Sequence, residues 1–374
     1  MQVGLMTALS RRGFMNKGEC PGCDLPVRAS WFVKWGDNGT IVVRVNPVIR
    51  VALVESDLLN DIYRRIEDSI GVPIRRIVFE AERAAAKATI DTMVPKRHAW
   101  LVRNSLVMHP VSRFFQLLFR LAGLAEAHTV FYHVYKGSMA SVNNAINQDI
   151  IAAMTLGAFE SSEGIPYDHQ WSEIGGQLYL IIMPAAGKPE IAERMVPEVA
   201  RPLRGTRRLE VCSRCGLPKA LRHLRWDLPN AIITDTRRDV RMSFVDGYAF
   251  SVVFRELIAE LGDDVVPIII EASREYEGRV IEETGFLDDK RDREESYQEY
   301  LESLPVWGQG NPVSSEITES MLVVTIENPF SAHLLAGQLL AVYEAVEGNP
   351  GSVEIDEFAP MRVRLTVTPA DSAA

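Results

Sequence analysis

Cysteine is scarce in this chain: four residues in 374. That excludes a small scaffold stapled by disulfides. All four fall in two Cys-x-x-Cys pairs, Cys20 with Cys23 and Cys212 with Cys215. No run reaches the roughly 18 consecutive apolar residues of a membrane span. Basic charge is not in excess either. Forty Lys and Arg stand against 50 Asp and Glu, a net charge of -10, so no nucleic-acid partner is expected, since such binders carry a basic face. A phosphate-cradling glycine loop, a nucleophile elbow and a His-Glu-x-x-His pair are also missing. No catalytic residue is therefore assigned. The first residues, up to Cys20, place basic groups after a short apolar stretch, the reverse of a secretory signal. Paired thiols outside a disulfide framework suit a reducing compartment, and the expected location is the cytoplasm.

What the chain does have is a repeat. Cys-Pro-Gly-Cys-Asp-Leu-Pro from Cys20 aligns with Cys-Ser-Arg-Cys-Gly-Leu-Pro from Cys212 at an offset of 192 (Cys212 against Cys20). At an offset of 191 (Trp226 against Trp35), Gly71 meets Gly262, and Glu80-Ala81-x-Arg83 meets Glu271-Ala272-x-Arg274. The register then shifts once. At an offset of 184 (Asn328 against Asn144), Glu160 meets Glu344, Glu163-Gly164-x-Pro166 meets Glu347-Gly348-x-Pro350, and Glu173 meets Glu357. Two ordered blocks separated by one indel point to an internal duplication.

The expected organisation is a tail (1–19), a knuckle and strand (20–46), a first domain (47–187), a linker (188–211), a second knuckle and strand (212–237) and a second domain (238–370). In each half a strand follows the knuckle (Thr40 to Val45; Ala231 to Thr236). The first half continues into a helix with apolar residues at Leu58, Leu59, Ile62, Ile66 and Ile70, a 3.6-residue period. A second helix is expected from about Val72 through the alanine-rich run. Then come a strand (Thr129 to Tyr135; Met321 to Ile326), a helix (Ala145 to Glu160; Ala332 to Glu347) and a closing alternating strand. Helices followed by hairpin-like strands predict an α+β fold rather than a doubly wound parallel sheet. The two copies are expected to pair as an intramolecular dimer.

Ile49 to Ala88 resembles the N-terminal half, and Ile326 to Pro369 the C-terminal half, of the 4-vinyl reductase or hydrocarbon-binding domain. The likeness spans roughly Pro47 to Pro184 and Arg238 to Pro369 and leaves out both knuckles. It implies a sensor or carrier of a small hydrophobic molecule, aromatic, lipid-like or tetrapyrrole, in a fold similar to vesicle-tethering subunits with an acyl tunnel. Family members also bind zinc through cysteines near the last strands. Those cysteines are absent here although Glu173 and Glu357 stand at the acidic position, so that metal site is not carried over.

Chemistry is expected in two places. Thiolates two residues apart grip one edge of a tetrahedral metal. Should the halves pair about an axis, Cys20, Cys23, Cys212 and Cys215 would share one zinc; a redox pair and separate or bare knuckles are the alternatives. Pro21, Pro26 and Pro218 suggest tight turns rather than the helix start a redox Cys-x-x-Cys uses. The ligand-binding residues expected in the first half are Phe114, Phe115 and Phe119, with Trp100, Phe131, Tyr132 and His133 at the polar end. The corresponding run of the second half, Leu287 to Leu304, is charged and expected to be solvated. Glu80–Arg83 and Glu271–Arg274 are expected ion pairs at i, i+3 spacing. The leading function is a non-enzymatic, zinc-stabilised binding protein with a protein partner for its output and the option of homo-oligomers. The alternatives are an enzyme or accessory factor in tetrapyrrole or aromatic metabolism, and a structural assembly factor.

Overall fold

The computed structural model describes residues 18–93, 105–197, 200–285, 292–359 and 361–370. In the first half, strands β1 (Val33–Trp35), β2 (Ile41–Val43) and β3 (Asn46–Glu55) lead into helices α1 (Leu58–Ile70), α2 (Arg75–Met93) and α3 (Ser105–Leu121). A hairpin, β4 (Glu126–His133) and β5 (Gly137–Asn143), precedes α4 (Gln148–Glu163), and β6 (Tyr167–Ile174) and β7 (Gln177–Pro184) close the half. The second half runs β8 (Leu224–Asp227), β9 (Ile232–Asp235), β10 (Val240–Asp246), α5 (Gly247–Leu261), α6 (Val265–Thr284) and α7 (Arg293–Trp307). It continues β11 (Asn311–Ile317), β12 (Leu322–Glu327), α8 (Ala332–Glu347), β13 (Gly351–Ala359) and β14 (Arg362–Pro369).

The described strands form three antiparallel sheets, which makes the fold α+β. The central one has the order β1-β2-β3-β10-β9-β8, three strands from each half. Its middle is the β3·β10 pair, with Leu53 opposite Phe244 and Val51 opposite Asp246. Flanking sheets have orders β4-β5-β7-β6 and β11-β12-β14-β13. Strand β3 is buried on both faces from Ile49 to Val54. Alternation divides its side chains: Val51 and Leu53 join the core beneath the knuckles, while Ala52 and Val54 join a second core under α1, α2, α5 and α6.

Contacts between the halves repeat with the halves exchanged. The Trp35 indole donates to the Val306 carbonyl (2.8 Å) and the Trp226 indole to that of Leu121 (3.3 Å). Arg50 donates to the Asn328 carbonyl and Arg241 to that of Asn144 (2.7 and 2.6 Å). The Asn328 amide donates to the Asn38 carbonyl, and the Asn144 amide to that of Asn230, both at 3.0 Å. The repeated Glu–Arg motifs are ion pairs, each completed from the partner helix: Arg83 bridges Glu80 and Glu160, and Arg274 bridges Glu271 and Glu344.

Several expected boundaries moved. The second helix starts at Arg75 rather than Val72, because Pro73 disfavours helical geometry before it. The helix expected from Ala145 starts at Gln148, where Asn147 caps the amides of Asp149 and Ile150. The strand entering α4 is β5, not β4. Its sequence, Gly-Ser-Met-Ala-Ser-Val-Asn, has one β-branched residue and little strand signal. The 188–211 segment is more than a connector: Met195 is buried, and Arg207 donates to Asn311 Oδ1 (2.9 Å) and to the Pro312 carbonyl.

Candidate metal centre and apolar cavity

Each knuckle is a tight turn. Backbone amides of Cys20 and Cys212 donate to the carbonyls of Leu25 and Leu217 (2.7 and 2.8 Å), and those of Asp24 and Gly216 donate back to Cys20 and Cys212 (both 2.8 Å). Asp24 and Gly216 occupy the same place in the two turns with φ of 61° and 78°. The two turns meet, although the strands that follow them, β1 and β8, lie at opposite edges of the central sheet. Cys20 Sγ lies 3.7 Å from Cys212 Sγ, and Cys23 Sγ lies 3.4 Å from Cys215 Sγ. All four ligand atoms fall within 4.8 Å of one another. Zinc–sulfur bonds of about 2.3 Å set the sulfurs of a tetrahedron roughly 3.8 Å apart, so these thiols fit a single ion. A Cβ on Gly22 would stand 3.1 Å from Cys212 Sγ, so a side chain there would crowd the cluster. The backbone amides of Cys215 and Arg214 bring the Cys212 thiol down to about 6, favouring the thiolate a metal needs. Burial pushes the Cys23 thiol up. The four cysteines could therefore hold a metal ion, assembled across a separation of 192 residues.

Beneath the same side of the sheet lies a cavity of about 230 Å³, bounded by α2, α3, α4, β3–β5, β7 and β10. Its walls are mostly apolar. At the matching place in the second half, large side chains are packed together. Tyr276, Tyr297, Tyr300 and Gln338 are all buried there. With the helices aligned on their repeat, their counterparts are Ala85, Ser112, Phe115 and Met154, and all four line the cavity. Ala85 and Ser112 carry no ring where Tyr276 and Tyr297 do, which leaves room for the cavity. The second-half helix α7 is accordingly not the solvated element its charge suggested. Tyr297 is 0% exposed and donates to Glu347 (2.7 Å), while Arg293 pairs with the same carboxylate.

Of the expected ligand-binding residues, Phe115, Phe119 and Tyr132 line the cavity. Trp100 lies outside the described residues. Phe114 sits about 100° around α3 from Phe115, packs edge-on against it at 6.0 Å, and misses the lining. Phe131 and His133 are exposed, their rings 6.0 Å apart. The reason is a β-bulge between Thr129 and Phe131. A bulge inserts one residue and reverses the alternation beyond it. Ala127 and Thr129 therefore face the cavity, as does Tyr132, while Phe131 and His133 turn outward. His128 is also exposed, against Glu126 (3.0 Å), and His169 stacks on Phe79 at 5.0 Å.

Sequence reasoning missed the polar lining. Glu163 accepts from the hydroxyls of Tyr132 (2.7 Å) and Tyr167 (2.5 Å) and from the Tyr135 amide. Glu82 and Asp246 line the cavity as well. Glu82 sits inside the alanine-rich helix α2, and Asp246 caps α5, so neither carries a motif. Among the described residues, no helix is long and apolar enough to cross a membrane. Compared with known proteins, the chain matches no family model and no curated protein.

Proposed function

We propose that this chain is an internally duplicated binding protein. Its two halves are tied at their knuckles by one structural zinc, and its first half encloses a small apolar molecule. The observation that carries the reading is the asymmetry of the halves. One site is packed with tyrosine, and its counterpart is emptied to about 230 Å³ by small and apolar residues. A 150 Å³ apolar cavity accommodates benzene, so this volume suits a fused bicyclic ring or a short branched chain. The resemblance to the hydrocarbon-binding domain supports the same class of ligand. Zinc suits four thiols at tetrahedral spacing, closed to further ligands, which is the form of a structural rather than a catalytic site. Its role is to pin two segments distant in sequence beside the central sheet. Protein groups then do the rest: α3 forms one wall of the cavity, and Phe115, Phe119 and Leu180 give it an apolar lining.

Native mass spectrometry with metal analysis on the same sample tests the reading. The expected result is one zinc per chain and uptake of an apolar bicyclic probe. A folded protein that carries no metal and takes up no probe would overturn it.

A further inference from the structure

Two carboxylates in the cavity have lost the partners that their counterparts keep. On the repeat register Asp246 corresponds to Glu55. Glu55 is paired with Arg238 and accepts the Tyr276 hydroxyl at 2.6 Å. The residues matching Arg238 and Tyr276 in the other half are Pro47 and Ala85, so among the described residues Asp246 has neither the cation nor the phenol that Glu55 has. It accepts from the Tyr248 amide (2.8 Å) and the Thr89 hydroxyl (3.0 Å), both neutral. Glu82 replaces Ser273, whose hydroxyl is satisfied by the Leu334 carbonyl at 2.8 Å. Glu82 is 7% exposed, lines the cavity, and has no hydrogen-bond or ion-pair partner among the described residues. A carboxylate of this kind in apolar surroundings is costly unless something meets it. Glu163, the third acidic group in the lining, is saturated by Tyr132, Tyr167 and the Tyr135 amide. No Lys, Arg or His appears among the described lining residues.

We propose that the cavity takes an apolar molecule bearing one protonated nitrogen, an aryl- or alkylamine, whose ammonium group lies against Glu82 and Asp246. The ligand's cation does for these carboxylates what Arg238 does for Glu55, and its apolar body occupies the space that Tyr276 and Tyr297 fill in the second half. Anionic ligands such as fatty acids are disfavoured by the same groups, because a carboxylate would be buried against two acids and no cation. Burial raises Glu82 to about 8 and Asp246 to about 6. This is the signature of acids held without a counter-charge, and an arriving ammonium supplies it. The inference rests on reading the cavity as a ligand site and adds the chemistry of its head group.

The test uses the full-length protein with three probes on one skeleton: 1-naphthylmethylamine, 1-naphthalenemethanol and 1-naphthoic acid, titrated by calorimetry at pH 7.5. The amine should bind at least tenfold tighter than the alcohol, and the acid more weakly than either. In Glu82→Gln the amine should fall tenfold or more, to the level of the alcohol, while the alcohol changes less than threefold and so reports an intact fold. Ala85→Tyr should abolish binding of all three by restoring the second-half ring. Equal binding of the three probes, or an amine preference that survives Glu82→Gln, overturns the head-group inference and leaves the cavity as a ligand site. Binding of none overturns both.

Discussion

Glu82 and the four cysteines illustrate how single side chains set this protein's response to conditions. Burial makes Glu82 a weaker acid in the folded chain, about 8 against an ordinary 4.5. The folded state therefore holds this proton more tightly than the unfolded one. The resulting stability is full below about pH 4.5 and is lost as pH rises through about 8. In ligand-free protein, Glu82→Gln should be close to neutral at pH 5 and stabilising at pH 8.5, on the order of a few kcal/mol. Paired denaturant melts at the two pH values check this, and a gain independent of pH would show that Glu82 is not the titrating group. With the proposed zinc at the knuckles, cysteine substitutions act through the metal instead. Cys20→Ser and Cys212→Ser, from different halves, should lose the metal alike and lower Tm by about 10 °C, since metal-binding energy at such a site is folding energy. Metal content and thermal melts on both variants decide it; a variant of one half that keeps the metal would indicate separate sites.

At the scale of elements, helices that align on the repeat do different work. Helix α7 packs Tyr297, Tyr300, Leu301 and Leu304 into its core, while α3 presents Ser112, Phe115 and Phe119 to open space. Tyr297→Ala should therefore cost about 3–5 kcal/mol, the range for emptying a large buried side chain, and Ser112→Ala under about 1 kcal/mol. Urea melts of the two variants provide the comparison. The arginines between the halves behave as a matched pair. Arg50 and Arg241 both donate to backbone carbonyls of the opposite half rather than to a carboxylate. Arg50→Ala leaves a buried carbonyl unmet and should cost about 2 kcal/mol, while Arg241→Ala, whose Asn144 acceptor is exposed, should cost less. Burial lowers Arg50 to about 10, the cost of holding that guanidinium away from water.

At the scale of the whole molecule, neither half is self-contained. Strands β3 and β10 pair with each other at the middle of the sheet, and α1 packs on α6 while α2 packs on α5. Cutting the chain at Gly187 should give two fragments that remain unfolded or self-associate when produced singly, because each exposes a long apolar strand edge. Mixed or co-expressed, they should recover native circular dichroism and metal binding. A fragment that is monomeric and folded by itself would show that the central sheet is not obligatory.

Much of this architecture was legible in the order of residues. The two Cys-x-x-Cys knuckles, the shared Trp35 and Trp226, the Glu–Arg motifs and the helical period of α1 are local patterns, and local patterns state which elements form. The repeat also carried the expectation that the halves pair, although only the β3·β10 ladder specified how. Other features depended on what is distant in sequence and adjacent in space. A one-residue bulge at Thr129–Phe131 decided which of Phe131, Tyr132 and His133 faces the cavity, since alternation beyond a bulge is set by pairing with β5 and not by the strand's own composition. The cavity itself depends on absences, at Ala85 and Ser112, that become visible only when the second half shows what is missing. The unpartnered state of Glu82 is likewise a property of its neighbours, because a carboxylate's ionisation is set by the charges and solvent around it. Sequence determined the elements, their repetition and the pairing of thiols within each knuckle; tertiary structure alone decided which thiols meet, which aromatic rings turn inward and which acids are left without a cation.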